Sequence, residues 1–325
     1  MAYTILEVLF ILTHEQGKVI RARTGFYDIM HEELVLRCTL RGTQKRQRYS
    51  KTGRRLFADP IAVGDHVIFT QIDHEEGVIE EILPRQTKFS RQYAGKHESI
   101  EQIIVANASQ VVVVVSTHMP PLNYRTLDRF LILAEAGEMS AIICVNKMDL
   151  VESEEKDELI STFNTYENLG YQVVYTSIKS TESIESLIGV IKDKFSVIVG
   201  ASGVGKSSLL NTIQPNLGLR VGEVGEKTQK GRHTTTLVEL FLLDIGGEVA
   251  DTPGIREVGL WGVDTENLEY YFPEMEPLIG SCKYKDCAHI KETDCAIQDA
   301  VENGVVHPER YHSYVVLKTG DTGEI

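Results

Sequence analysis

Phe195-Ser-Val-Ile-Val-Gly200-Ala201-Ser202-Gly203-Val204-Gly205-Lys206-Ser207-Ser208-Leu-Leu-Asn-Thr-Ile213 reads as three pieces in a row. The first is a short apolar run rich in β-branched residues, as expected of a buried strand. The last places Leu209, Leu210 and Ile213 at helical spacing. Between them, Gly200 to Ser207 fits G-x-x-x-x-G-K-[ST], the loop whose glycines let backbone N–H groups wrap a phosphate without Cβ clashes. The N-terminus of the following helix adds a favourable dipole. The pattern predicts that Gly200, Ala201, Ser202, Gly203, Val204, Gly205 and Ser208 line a nucleotide's phosphates, that Lys206 reaches the β and γ phosphates, and that Ser207 ligates Mg²⁺. A bare glycine-rich turn is the bland alternative, and the flanking strand and helix argue against it.

A phosphate loop does not say which base is bound, and that information lies upstream. Ala141-Ile-Ile-Cys-Val-Asn146 is another apolar run, and it ends in Asn146-Lys147-Met148-Asp149. A carboxylate at Asp149 can accept from both N–H donors on the guanine edge, which adenine lacks, while the Lys147 stem can cover the base. Adenine would leave that carboxylate unpaired. Thr176-Ser177 follows the next strand-like run, where a second loop contacting the guanine is expected.

Downstream, Asp251-Thr252-Pro253-Gly254 follows two further strand-like runs. An aspartate there can hold Mg²⁺ through water, and the Gly254 N–H can meet the γ-phosphate. The segment Gly231-Arg232-His233-Thr234-Thr235-Thr236 offers hydroxyls for Mg²⁺ and a histidine near the phosphates, with spacing alone not choosing among the threonines. Thr235 is carried forward as the magnesium candidate, and His233 with Lys206 and Asp251 as the catalytic set. Position 255 is isoleucine, which cannot orient water, so His233 is the nearest candidate for that task.

Continuous apolar runs such as Val111–Thr117 alternate with helical patterns, which predicts an α/β, mostly parallel sheet. The guanine loops precede the phosphate loop along the chain, the reverse of the usual order. A sheet can keep its packing while its chain is cut elsewhere, and in this order the chain resembles the circularly permuted P-loop GTPases.

Residues 17 to 90 look different: short alternating segments separated by Gly, Asp and Pro turns, suggesting a small antiparallel barrel. Arg37, Arg41, Lys45, Arg46, Arg48, Lys51, Arg54 and Arg55 fall within it with no acidic residue among them. The formal net charge of -14 argues against nucleic-acid binding through overall charge, which makes this run an electrostatic anomaly. On a barrel whose loops commonly bind oligonucleotides it is a candidate RNA-binding patch, spanning Arg41 to Arg55.

Of five cysteines, Cys38 and Cys144 sit alone in apolar runs, whereas Cys282, Cys287 and Cys295 are bunched around His289. Three thiolates and one imidazole fill a tetrahedral Zn²⁺ shell with no open position, so a structural site is expected. The first twelve residues lack a basic n-region and a cleavage site, and no run of about 18 apolar residues follows. A cytoplasmic location without membrane contact is the expectation.

Taken together, these motifs resemble the RsgA (YjeQ) family of circularly permuted GTPases, ribosome small-subunit biogenesis factors. The resemblance covers essentially residues 15 to 320, including the spacing C-x4-C-x-H-x5-C at Cys282, Cys287, His289 and Cys295. It implies three parts: an N-terminal OB-fold β-barrel within 1–92, a permuted GTPase over 93–264, and a C-terminal zinc-binding helical domain over 265–325. It also implies GTP and GDP as ligands with Mg²⁺, slow intrinsic hydrolysis accelerated by the small ribosomal subunit, and barrel and zinc domain gripping 16S rRNA. The chain is expected to act as a monomer. Because the DTPG loop leads almost directly into the zinc domain, nucleotide state is expected to move that domain as a lever. Two rivals stand against this: a permuted GTPase of another subfamily that only binds RNA or ribosomes with negligible turnover, and a P-loop ATPase, which Asn146 and Asp149 contradict.

Overall fold

The computed structural model describes residues 14–23, 25–42, 59–92, 100–219, 238–252 and 262–320. The barrel comprises β1 (His14–Arg23), β2 (Phe26–His31), β3 (Leu34–Leu40), β4 (His66–Gln71) and β5 (Glu76–Ile82). Their order is β1-β2-β3-β5-β4, and β4 returns to pair with β1 and close the wall. Alternation explains the closure: Tyr27, Ile29, Leu36, Cys38, Val67, Phe69 and Ile79 point inward and are buried. Two features depart from the simple antiparallel barrel expected. β3 and β5 run parallel. β2 is an added strand, hidden in the sequence because Asp28 and the exposed Phe26 mask its inward Tyr27 and Ile29.

A hairpin of β6 (Lys88–Gln92) and β7 (Glu101–Ala106) leads out of the barrel. Gln92 and Glu101 are partners across its ladder.

The second body is a sheet of β8 (Gln110–Ser116), β9 (Ser140–Asn146), β10 (Gln172–Tyr175), β11 (Phe195–Val199), β12 (Glu239–Leu242) and β13 (Glu248–Asp251). The spatial order is β10-β9-β8-β11-β13-β12, parallel except for β12. Every residue of β8 and of β11 is buried, as continuous apolar runs covered on both faces require. Helices α1 (Tyr124–Ala136), α2 (Ser153–Asn168), α3 (Thr181–Ile191) and α4 (Lys206–Ile213) make the crossovers. Asn123 and Ser180 cap α1 and α3 by accepting from the N–H groups of Thr126 and Ser183.

The C-terminal part holds short 3₁₀ turns, α5 (Ala296–Glu302) and α6 (Pro308–Thr319). It packs Leu268, Phe272, Met275 and Tyr314 into a core that also takes Ile132 of α1. The contact is pinned by Arg310 of α6, 1% exposed, which donates to Asp128 of α1 at 2.5 Å and to Glu274 at 2.7 Å. Among the described residues no helix is long and apolar enough to cross a membrane.

Candidate functional site

Asn146, Thr176, Gly200 and Asp251 all stand at or just beyond the carboxyl ends of neighbouring strands, the end where open α/β sheets bind ligands. The permuted chain order is therefore irrelevant to the site. Strand adjacency, not sequence adjacency, brings the loops together.

The guanine loop and the phosphate loop touch directly. Asn146, buried, donates through Nδ2 to the Val204 carbonyl at 2.9 Å and accepts from the Thr176 hydroxyl at 3.0 Å. Lys147, in the left-handed region at φ +64°, donates to the Gly203 carbonyl at 2.8 Å and also to the Met119 carbonyl. Gly205 is a glycine for a steric reason: at φ +102° a Cβ would lie 2.3 Å from Asn146 Nδ2. Met148 takes part through its backbone, its N–H donating to the Thr176 carbonyl at 3.1 Å.

The Asp149 carboxylate accepts from the Ser177 hydroxyl at 2.7 Å and pairs with Lys179 at 2.7 Å. Lys179 first, then Ser177, holds it below the usual carboxylate range and so ionised. Sequence reading missed Lys179. Its only signal is its place two residues after Ser177. Thr117, whose hydroxyl donates to the Lys147 carbonyl at 3.1 Å, has no sequence signal at all.

At the phosphate end, Lys206 donates to the carbonyls of Gly200 and Ala201 at 2.8 and 2.9 Å. Burial lowers its pKa from the ordinary lysine value, and nearby Asp251 works the other way. Asp251 is buried with its Oδ1 lacking a hydrogen-bond partner, and burial raises its pKa despite Lys206. A buried carboxylate oxygen without a donor, beside a lysine that spends its bonds on loop carbonyls, fits a site completed by a divalent cation and a triphosphate. Ser207 opens α4 next to that lysine. Thr252 fixes the exit from β13 by donating to the Ile198 carbonyl at 2.7 Å. Gly254, His233 and Thr235 lie outside the described residues.

Cys282, Cys287, His289 and Cys295 place one ligand atom each within 4.8 Å of one another. Cys282 and Cys295 sulfurs are 3.9 Å apart, and His289 Nδ1 lies 3.4 Å from each. A tetrahedral shell with Zn–S bonds of about 2.3 Å requires sulfurs roughly 3.8 Å apart, so the donor set fits zinc. The loop is shaped by Glu292: burial opposes its charge, but the N–H groups of Ile290, Ala288 and Lys291 outweigh that and pull it down to about 2. The remaining cysteines are inert, since burial pushes the Cys38 and Cys144 thiols up to about 12.

Of the candidate RNA-binding residues, Arg41 is described: its side chain is 60% exposed and pairs with Glu80 at 2.7 Å. Lys45, Arg46, Arg48, Lys51, Arg54 and Arg55 lie outside the described residues.

Comparison with known proteins agrees with this geometry. The RsgA N-terminal domain family matches residues 16–79 and the RsgA GTPase family matches residues 82–261. A protein of Bacillus subtilis named small ribosomal subunit biogenesis GTPase RsgA is 38% identical over 94% of this chain and 96% of its own length. A protein of the same name from Gemmatimonas aurantiaca is 40% identical, over 94% of this chain and 97% of its own. Among solved structures, YjeQ from Thermotoga maritima superposes with a TM-score of 0.74 at 33% identity, covering 96% of this chain and all of that one. The circularly permuted GTPase YloQ gives 0.69 at 33% identity, covering 98% and 97%. With a reordered guanine-nucleotide site, a closed N-terminal barrel and this likeness across both, the chain belongs to the RsgA GTPase family.

Proposed function

We propose that this GTPase acts late in maturation of the small ribosomal subunit, hydrolysing GTP to GDP and phosphate and doing so fastest when bound to that subunit. The observation that carries the nucleotide half of this reading is the direct bonding of Asn146 to Val204, which makes base grip and phosphate grip one unit. The ribosomal half rests on the names of relatives that span nearly the whole chain.

In the proposed reaction the Asp149 carboxylate accepts from the guanine edge once Lys179 gives way, and Lys147 covers the base. The phosphate-loop N–H groups and Lys206 hold the triphosphate and stabilise charge that grows on its oxygens as water attacks in line. Ser207, Asp251 and Thr235 would hold a magnesium ion, which when bound would supply charge neutralisation for the triphosphate. His233 is assigned to water positioning, and Gly254 to the γ-phosphate. Cys282, Cys287, His289 and Cys295 would hold a zinc ion, which when bound would cross-link a part of the chain with little regular structure. The barrel and the zinc domain grip 16S rRNA, the barrel through Arg41, Lys45, Arg46, Arg48, Lys51, Arg54 and Arg55. The chain works as a cytoplasmic monomer.

Phosphate release measured with and without small ribosomal subunits tests the reading, with GTP competed against ATP. Stimulation by the subunits and a preference for GTP are expected. Equal rates with and without subunits overturn the ribosomal role, and equal affinity for ATP overturns the guanine site. Elemental analysis should find one zinc per chain, reduced by Cys287→Ser.

A further inference from the structure

The barrel is more than tethered to the GTPase; it is built onto the edge of its sheet. β1 pairs antiparallel with β12, Arg21 opposite Glu239, so the barrel wall and the GTPase sheet run together as one eleven-stranded sheet. Adding a strand to an open edge is how sheets recruit partners, with main-chain pairing for strength and side chains for register. Here the side chains are charged. Arg21 Nε donates to Glu239 at 2.6 Å, and the Lys18 ammonium pairs with Glu248 while lying 4.1 Å over the Phe195 ring. A second seam supports the first: Ala106 N–H donates to the Val63 carbonyl at 2.8 Å and Asn107 Nδ2 to the Gly64 carbonyl at 3.1 Å. Gly64 stands at φ +89°, where a Cβ would come within 2.1 Å of the Ala106 carbonyl oxygen. The two bodies meet backbone to backbone.

The register of that junction points at the nucleotide. Arg21 faces Glu239, Glu239 faces Asp251, and Asp251 faces Ile198. The barrel's arginine and the candidate magnesium carboxylate thus lie on one rung, two strand spacings apart, or about 10 Å. β12 and β13 are the strands that carry the chain to Asp251, and both of their first residues, Glu239 and Glu248, are the ones the barrel holds.

We infer that Arg21 and Lys18 are positioning residues for GTP hydrolysis: they clasp β1 onto β12 and β13, so that a ligand gripping the barrel sets Asp251 against the triphosphate. The inference rests on the proposed reading of the barrel as the ribosome-facing part. Coupling of this kind is reciprocal, so nucleotide with Mg²⁺ changes the barrel's affinity for its ligand by the same factor. The Arg21–Glu239 pair is the more exposed of the two, at 37% and 25%, against 16% and 20% for Lys18–Glu248, so it is the one to open with least effect on stability.

The experiment uses the full chain and three variants, Arg21→Glu, Glu239→Arg and the two combined, with Lys18→Met as a second opening of the clasp. Binding of a GTP analogue is titrated by calorimetry across a Mg²⁺ series without ribosomes, and turnover is measured with small ribosomal subunits. Arg21→Glu should weaken the Mg²⁺-dependent part of analogue binding by about fivefold, the low end of usual coupling, leave Mg²⁺-free GDP binding within about twofold, and cut subunit stimulation about tenfold. The double swap, made together with Asp28→Asn because Arg21 also lies 3.7 Å from Asp28, should restore both readouts, which repair of folding at either site alone does not do. An Arg21→Glu chain with the wild-type Mg²⁺ response, or a defect that the swap fails to repair, overturns the inference. If Arg21→Glu does not fold, the same Mg²⁺ shift in Lys18→Met upholds the clasp and its absence overturns it. If subunits fail to stimulate the wild type while the Mg²⁺ response still follows the clasp, the ribosomal reading falls and the coupling stands.

Discussion

Lys206 with Asp251, and Arg310 with Asp128, are each a base beside a buried carboxylate, yet the two are finished differently. At the C-terminal junction Arg310 bonds to Asp128 at 2.5 Å and to Glu274 at 2.7 Å, lies over Phe272 and Tyr166, and Tyr166 adds its hydroxyl to Asp128 at 3.0 Å. Burial works against its charge, but Asp128 and Glu274 outweigh that and keep it protonated. At the nucleotide site Lys206 gives its hydrogen bonds to Gly200 and Ala201 and leaves Asp251 Oδ1 without a donor. Asp128 also keeps one oxygen, Oδ2, without a partner, but its Oδ1 takes both Arg310 and Tyr166, whereas among the described residues Asp251 has no side-chain donor; the first carboxylate holds two bodies together and the second is left for a ligand.

The difference predicts opposite behaviour on mutation. Arg310→Ala strands Asp128 and Glu274 as buried charges without their cation and should cost about 3–5 kcal/mol, seen as early loss of the C-terminal part in a circular-dichroism melt. A melt matching wild type would show that the junction is not held by that arginine. Lys206→Ala should do the reverse, reducing phosphate release by about 10² to 10³-fold while the melting curve of the ligand-free chain barely moves.

A smaller effect sharpens the contrast further. Because burial raises the Asp251 pKa, its protonated form is the one the fold favours, and that contribution is complete below the ordinary value of 3.8 and lost as pH rises through the raised one. At neutral pH the ligand-free chain therefore carries an unfavourable carboxylate. Asp251→Asn should stabilise that chain by about 1 kcal/mol in a thermal melt while abolishing the Mg²⁺ dependence of GTP binding. The smallest effect is on pH: lowering it from neutral toward the raised Asp251 value should weaken Mg²⁺-dependent binding of a GTP analogue a few-fold by calorimetry, as a proton competes for the carboxylate. A Mg²⁺ response that strengthens on acidification would contradict the assignment of Asp251.

The same contrast bears on the expected lever. The C-terminal part, with its Cys₃His cluster, is fixed to α1 by Arg310 and by Ile132 in its core. The barrel is held by partly exposed charges at the edge that leads to Asp251. A comparison of nucleotide states therefore tests both junctions, with the larger shift expected at the barrel.

The chemistry was legible in the sequence where residue type and local spacing alone dictate it. Gly200 to Ser207 needs its glycines and lysine in order, Asn146 and Asp149 need to end a strand, and three cysteines around a histidine need little else. Each is a short-range pattern. β2 escaped because a six-residue strand with Asp28 inside it carries too weak an alternation. What only the tertiary structure decided are contacts between residues far apart in the chain: Lys18 with Glu248, Arg21 with Glu239, Arg310 with Asp128, Asn146 with Val204. A lone charge in a sequence has no period and no fixed-offset partner, so its role is set by which strand or helix packing brings beside it.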